Sequence, residues 1–352
     1  MSKLYPVGVQ NFEKVILGGY EYVDKTALIY QLFNTGSYYF LSRPRRFGKS
    51  LLLSTLEAYA QGKKELFKGL ALEKLEKDWT VYPVLHLDLN TQKYDTPESL
   101  TSILNDNLCI WESRYGARES ETSLSLRFQG IIRRACEQTG RRVVILIDEY
   151  DKPMLQAIGN EALQNEYRST LKAFYGALKS MDGCIRFALL TGVTKFGKVS
   201  VFSDLNNLMD ISMDDRYVEI CGISEKEIHA YFEEDIHALA TATGLTYEDT
   251  CAELKSNYDG YHFTENAVGM YNPFSLLNTF AKKKFGSYWF ETGTPTYLVE
   301  LLKLHHYPIE ELEHIVTSQP VLDSIDTAST DPIPVIYQSG YLTIKGYNKM
   351  FE

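Results

Sequence analysis

Two short stretches carry residue types that do chemistry when brought together. The first is Arg43-Pro44-Arg45-Arg46-Phe47-Gly48-Lys49-Ser50-Leu51, whose Gly-Lys-Ser ending is that of a phosphate-binding loop. The second is Asp148-Glu149, adjacent carboxylates that close the apolar run Val143–Ile147. In the first, Gly48 lets the backbone approach a phosphate, Lys49 reaches the β and γ phosphates, and Ser50 ligates magnesium at a helix N-terminus. In the second, Asp148 holds the magnesium shell and Glu149 polarises an attacking water as general base. Read alone, Gly-Lys-Ser also sits at ordinary turns, and two carboxylates also cap a helix or meet a neighbour such as Lys152. Jointly, about a hundred residues apart and each at a strand end, they point to triphosphate hydrolysis by water. Glu149 argues against a small-molecule kinase, which generally needs no water-activating group.

Arg43 stands where the usual GxxxxGK[ST] pattern has its first glycine. A non-glycine is tolerable there if its backbone angles are ordinary, and Pro44 stiffens the turn while removing one N–H donor. Arg45 or Arg46 would add charge to the phosphates or pair with acidic neighbours. A third stretch, Leu189-Leu190-Thr191-Gly192-Val193-Thr194-Lys195, ends the next strand; Thr191 is the favoured sensor of a γ-phosphate over Thr194 and Lys195. For an arginine finger acting from a second copy, Arg133, Arg134, Arg186 and Arg216 stay equally open.

The elements that must position these groups are legible from periodicity. A short aromatic strand spans 38–41, the loop follows, and a helix begins near Lys49. Upstream, Asp24 is placed to cap a helix carrying Leu28, Ile29, Leu32 and Phe33. Residues 84–90 alternate as a strand, and helices are expected from about 97 to 115, 125 to 139 and 160 to 180. The β-branched run at 143–147 reads as a central parallel strand buried on both faces. Ile185 to Val193 reads as a further strand, and Arg216–Ile220 as a fifth.

Strands alternating with helices imply an α/β fold with a doubly wound, mainly parallel sheet over residues 1–222, the N-terminal segment 1–36 included. From about 223 to 352 the texture is mainly helical, starting with a Ser224/Glu227 capping pattern and ending on a short strand near 341–347. That part is expected to be a smaller, lid-like or winged-helix-like domain. Asp259 and His262 read as structural residues of a turn, and His305-His306 as a solvated helix end without ligand partners at metal spacing.

The chain of 352 residues is 44% hydrophobic and 23% charged, enough for a packed core. A formal net charge of −10 opposes broad attraction to nucleic acid or anionic membrane, so direct nucleic-acid binding is not expected. The five cysteines are widely spaced and form no CxxC pair. No signal peptide opens the sequence and no apolar run reaches membrane-spanning length, which gives a cytoplasmic expectation.

Residues 22–26, 41–56, 144–153, 189–196, 258–263 and 271–280 together resemble the bacterial AAA-ATPase-like proteins. The resemblance covers nearly the whole chain. It implies a P-loop fold of the additional-strand type, with Lys49 and Ser50 as phosphate and magnesium contacts, Asp148 and Glu149 as the second motif, and ATP as substrate. Arginine in place of the first loop glycine is usual in that family. Longer members continue into a PD-(D/E)XK nuclease-like domain, a DNA-processing partner for which this chain shows no carboxylate-lysine cluster.

Three functions are set against one another. The first is a Mg²⁺-dependent ATPase coupling nucleotide state to movement of the helical part; the second is a nucleotide-gated scaffold or regulator with little turnover. Direct DNA handling is the third and is disfavoured by the acidic balance. A finger arginine supplied in trans would demand a homo-oligomer, whereas a switch works as a monomer or dimer.

Overall fold

The computed structural model describes residues 3–195, 201–203, 205, 207–264, 268–290, 296–304, 315–323 and 332–346. Its first elements in chain order are α1 (Phe12–Leu17), α2 (Thr26–Thr35), β1 (Tyr38–Ser42), α3 (Lys49–Ala60), α4 (Ala71–Leu75) and β2 (Val84–Asp88). There follow α5 (Pro97–Tyr115), α6 (Leu124–Thr139), β3 (Val143–Asp148), α7 (Lys152–Gln156), α8 (Glu161–Ser180), β4 (Ile185–Gly192) and β5 (Met209–Asp210).

Local chemistry explains where several helices begin. Asp24 Oδ1 accepts from the Thr26 backbone N–H at 2.8 Å, while its other oxygen accepts from Ala71 N–H, so one carboxylate serves the starts of both α2 and α4. Asn160 caps α8 by accepting from Leu163 N–H at 3.1 Å. Gly48 precedes α3 with φ +96, a left-handed backbone that glycine adopts without strain.

The five strands form one all-parallel sheet in the order β2-β3-β4-β1-β5. Strand β4 therefore lies between β1, which feeds the loop, and β3, which ends in Asp148. Leu41 is level with Thr191, and Ile147 with Leu190, so the ends of three strands meet at one edge.

Alternation along β1 sends Tyr38 and Phe40 into one core and Tyr39 and Leu41 into the other. In β3, Val143, Ile145 and Ile147 join the first core while Val144 and Leu146 join the second, which is why this run has no polar member. Leu104, Phe128, Ile131 and Leu171 cover the first face; Ile29, Leu32, Leu52 and Leu56 cover the second. Each such buried Leu or Ile contributes roughly 2 kcal/mol.

Two expected strands are corrected. Residues Asp215–Ile220 form a 3-10 helix, because Asp214 accepts from Arg216 N–H at 3.0 Å and closes a turn there. The fifth strand is instead Met209–Asp210, on the free edge of β1. The described residues 341–346 form no strand; they run as a strap whose Thr343 and Ile344 bond the turn at Gly260 and His262.

The segment after Gly222 begins with Ile223–Ser224, paired antiparallel to Met270–Tyr271, and helix Glu225–Thr243 follows with the expected Ser224/Glu227 capping box. Helices Tyr247–Tyr258 and Pro273–Lys282 enclose a separate core of Ile228, Phe232, Ile236, Leu254 and Phe280. The packing crosses residue 222 in both directions. Tyr5, Val7 and Val23 pack against this separate core, while Leu298, Val335 and Ile336 join the first core, on one face of the sheet. Among the described residues, no helix is long and apolar enough to cross a membrane. All five cysteines are free thiols, and His305-His306 lies outside the described residues.

Candidate functional site

The strand order brings the three stretches together. Lys49 and Ser50 start α3, Asp148 ends β3, and Thr191 lies near the end of the strand between them. Ser50 Oγ donates to Asp148 Oδ2 at 2.5 Å, and Thr191 Oγ1 donates to Asp148 Oδ1 at 2.6 Å. One carboxylate, 4% exposed, is thus gripped from both flanking elements. A carboxylate buried without such donors would be costly to keep ionised.

Lys49 is equally buried, and its Nζ donates to Arg43 O at 3.0 Å and Pro44 O at 3.3 Å. Its ion pair is with Glu149 Oε1, 3.3 Å away. The ammonium therefore sits inside the curve of the loop beside the second motif's glutamate. Glu149 has φ +53, an uncommon left-handed backbone for a side-chain-bearing residue and costly by about 1 kcal/mol or more.

Arg43 does something different from a phosphate contact. It is fully buried, and its guanidinium donates to Ser42 O at 3.0 Å, Ser212 O at 2.7 Å and Tyr217 O at 3.1 Å. The ring of Phe263 lies 3.9 Å from its Cζ. Burial pushes its pKa down, yet a guanidinium stays protonated. The residue ties the start of the loop to the segment after β5 and to the C-terminal half.

The rest of the loop is held from the same side. Trp289 Nε1 donates to Arg45 O at 3.1 Å, and Arg46, exposed with φ +66, places its guanidinium 4.6 Å from the Phe274 ring. Phe47 is buried against Tyr261, Phe263 and Met270. Pro44 lies under Gly340, where an added Cβ would come within 3.0 Å of it. Of the loop residues singled out from sequence, Lys49 and Ser50 meet Glu149 and Asp148, whereas Arg43 and Phe47 anchor the loop from behind.

Past Thr191, Lys195 is buried and paired with Asp210 Oδ2 at 2.9 Å, and its N–H donates to Gln338 Oε1. Thr194 bonds to Asp151, a buried carboxylate that sequence reasoning left without a role. The available signal was a third acid in Asp148-Glu149-Tyr150-Asp151 followed by a helix. Of the four arginines considered as fingers, Arg134 pairs with Glu121 and Arg216 with Asp214. Arg186 covers Phe33, and Arg133 is exposed. Asp259 accepts from the neighbouring Gly260 N–H, and His262 Nδ1 meets Ile344 O of the strap.

Beside Gly48 and Leu51 opens a cleft of about 610 Å³ including its mouth. Tyr22, Val23, Ile223, Pro273 and Leu277 give it an apolar lining drawn from both halves of the chain. At its wall Lys25 meets both oxygens of Glu227, at 2.5 and 2.6 Å.

The donor chemistry fits magnesium. Ser50 Oγ and Asp148 Oδ2 are hard oxygen donors already side by side. Among the described residues no group of three His, Cys, Asp or Glu could hold a metal.

A protein of Azotobacter chroococcum mcd 1, named as an uncharacterized protein in the vnfD 5' region, is 40% identical over 344 residues. The alignment takes in 97% of this chain but 64% of that relative, so the chain spans less than two thirds of the relative's length. No solved structure matches the chain. The family profile described as "Predicted AAA-ATPase" matches residues 6–202, which contain the loop, the Asp148-Glu149 pair and Thr191. The chain belongs to this AAA-ATPase-like family.

Proposed function

We propose that the chain binds Mg-ATP and hydrolyses it, using nucleotide state to move the helical half against the sheet. The observation that carries this reading is the convergence of Ser50, Thr191 and the Lys49–Glu149 pair on the end of β3, at the N-terminus of α3. We read the sheet as the doubly wound, additional-strand type, with a domain boundary near residue 222. Gly48-Lys49-Ser50 and Asp148-Glu149 act as the Walker A and Walker B motifs.

In this reading the amides and dipole at the start of α3 receive the phosphates. Lys49 exchanges the carbonyls of Arg43 and Pro44 for phosphate oxygens. Ser50 and Asp148 would hold Mg²⁺, which when bound offsets the phosphate charge. Glu149 takes a proton from water as the water oxygen bonds to the γ-phosphorus; the bond to the β–γ bridging oxygen breaks and its electron pair leaves with ADP. Thr191, level with Asp148, senses whether the γ-phosphate is there. The apolar cleft beside Gly48, lined by Val23, Pro273 and Leu277 among others, takes the purine.

A second reading, a nucleotide-gated module with little turnover, draws on the Lys49–Glu149 ion pair, since each group neutralises the other. Phosphate release separates the two. Turnover that depends on Lys49 and Glu149 supports the enzyme; Lys49-dependent binding without release supports the switch. A cytoplasmic location, and assembly into a homo-oligomer should a finger arginine act in trans, belong to the same proposal; coupling to a nuclease-like or DNA-processing partner rests on the family resemblance.

A further inference from the structure

Asp151 occupies the N-cap position of α7 but makes no side-chain cap there. Its carboxylate turns instead to the segment after β4, accepting from Val193 N–H at 3.3 Å, Thr194 N–H at 2.7 Å and Thr194 Oγ1 at 2.8 Å. It is fully buried. A β-carbon on Gly192 would come within 2.7 Å of this carboxylate and of the Tyr150 ring, so the close approach needs glycine at that point.

Residues 148–151 contain the left-handed turn at Glu149. That turn is fastened by Glu149 N–H on Asp148 Oδ1 at 3.1 Å, Tyr150 N–H on Thr191 O at 2.9 Å and Lys152 N–H on Glu149 O at 3.0 Å. Tyr150 OH adds a bond to Thr194 O at 3.1 Å. A strained backbone persists only where its surroundings over-determine it. Asp151 supplies the three bonds on the far side of the turn, and Glu149 reaches Lys49 from its near side.

We propose that Asp151 is a positioning residue that acts through Glu149. By clamping β3's end to the Val193–Thr194 segment it holds Glu149 in the left-handed conformation that aims its carboxylate at Lys49, and sets Thr191 against Asp148. This rests on the ATPase reading, and it assigns to the third acid a part in the step that Glu149 performs.

The test is single-turnover phosphate release from Mg-ATP by the full chain, with KM and equilibrium binding measured alongside. Asp151→Asn keeps the shape and loses acceptor capacity. Its kcat should fall about 10-fold or more with KM and ATP affinity within about 2-fold, and in the Glu149→Gln background it should cost nothing further. Equal turnover, a loss confined to KM, or the same fold-loss in the Glu149→Gln background would each overturn the proposal. Should Asp151→Asn fail to fold, Thr194→Val removes one of the three donors at similar volume. A smaller kcat loss at unchanged KM then supports the assignment, and none overturns it. Absence of turnover in the unaltered chain overturns this proposal together with the ATPase reading; turnover there with an indifferent Asp151→Asn overturns this proposal alone.

Discussion

Ser50 and Asp148 lie 98 residues apart in sequence, yet the Ser50 hydroxyl donates to the Asp148 carboxylate at 2.5 Å. That contact exists because β4 inserts between β3 and β1, the strand that leads into α3, so that α3 starts where β3 ends, with Thr191 between. The site is a property of strand order, and its consequences can be measured residue by residue.

Glu149→Gln should retain Mg-ATP binding while slowing phosphate release about 100-fold or more, the usual worth of a positioned general base. Stopped-flow phosphate detection at saturating ATP checks it. Unchanged release would remove Glu149 from the chemistry.

Arg43→Gly, which restores the common loop glycine, should destabilise the fold and leave nucleotide binding no stronger. The change strands the carbonyls of Ser42, Ser212 and Tyr217, buried acceptors that lose a charged donor. A loss of about 3 kcal/mol or more is expected in urea unfolding. Arg43→Lys should lose most of this too, because one ammonium lacks the planar fork that spans the three carbonyls.

How much of this was legible beforehand differs by residue. The helix over Glu161–Ser180 and the apolar β3 announce themselves, since local periodicity and burial dictate them. Gly48, Lys49, Ser50, Asp148 and Thr191 could be picked out because their types are tied to a known chemistry at strand ends. The two-residue β5 was missed because so short an edge strand has no periodicity of its own, and Asp214 turned the expected strand at 216–220 into a 3-10 helix. Arg43 as an anchor and Asp151 as a clamp were invisible for a different reason. Their partners, at Ser212, Tyr217 and Thr194, are set by tertiary packing, about which spacing says nothing.

The Asp151 carboxyl is pushed up to about 6, first by burial and then by the charge of Glu149, against the bonds from Thr194 and the charge of Lys49. Tyr150 and Tyr175 also face it. The folded state therefore binds this proton more tightly than the unfolded state, whose ordinary value is 3.8. Its contribution to stability is present at low pH and is lost as pH rises from about 4 to about 6. Asp151→Asn does not titrate, so between those limits the stability difference should shift in the variant's favour by up to about 3 kcal/mol. Urea unfolding of both proteins from pH 4.5 to 7 reads the shift; parallel curves would contradict it.

Leu277→Trp should fill the apolar cleft that Leu277 shares with Val23 and Pro273. ATP affinity is expected to fall about 10-fold or more while inorganic tripolyphosphate binds as before, because only the base needs that space. Equal losses for both ligands would place the base elsewhere.

The central claim is tested most directly by equilibrium binding of Mg-ATP to the full chain beside Lys49→Ala, with phosphate release followed in the same samples. The account predicts saturable binding and release by the unaltered chain, and binding weakened at least about 10-fold, with release lost, when the Lys49 ammonium is removed. Binding that ignores Lys49, or a folded chain that binds no nucleotide, would contradict it.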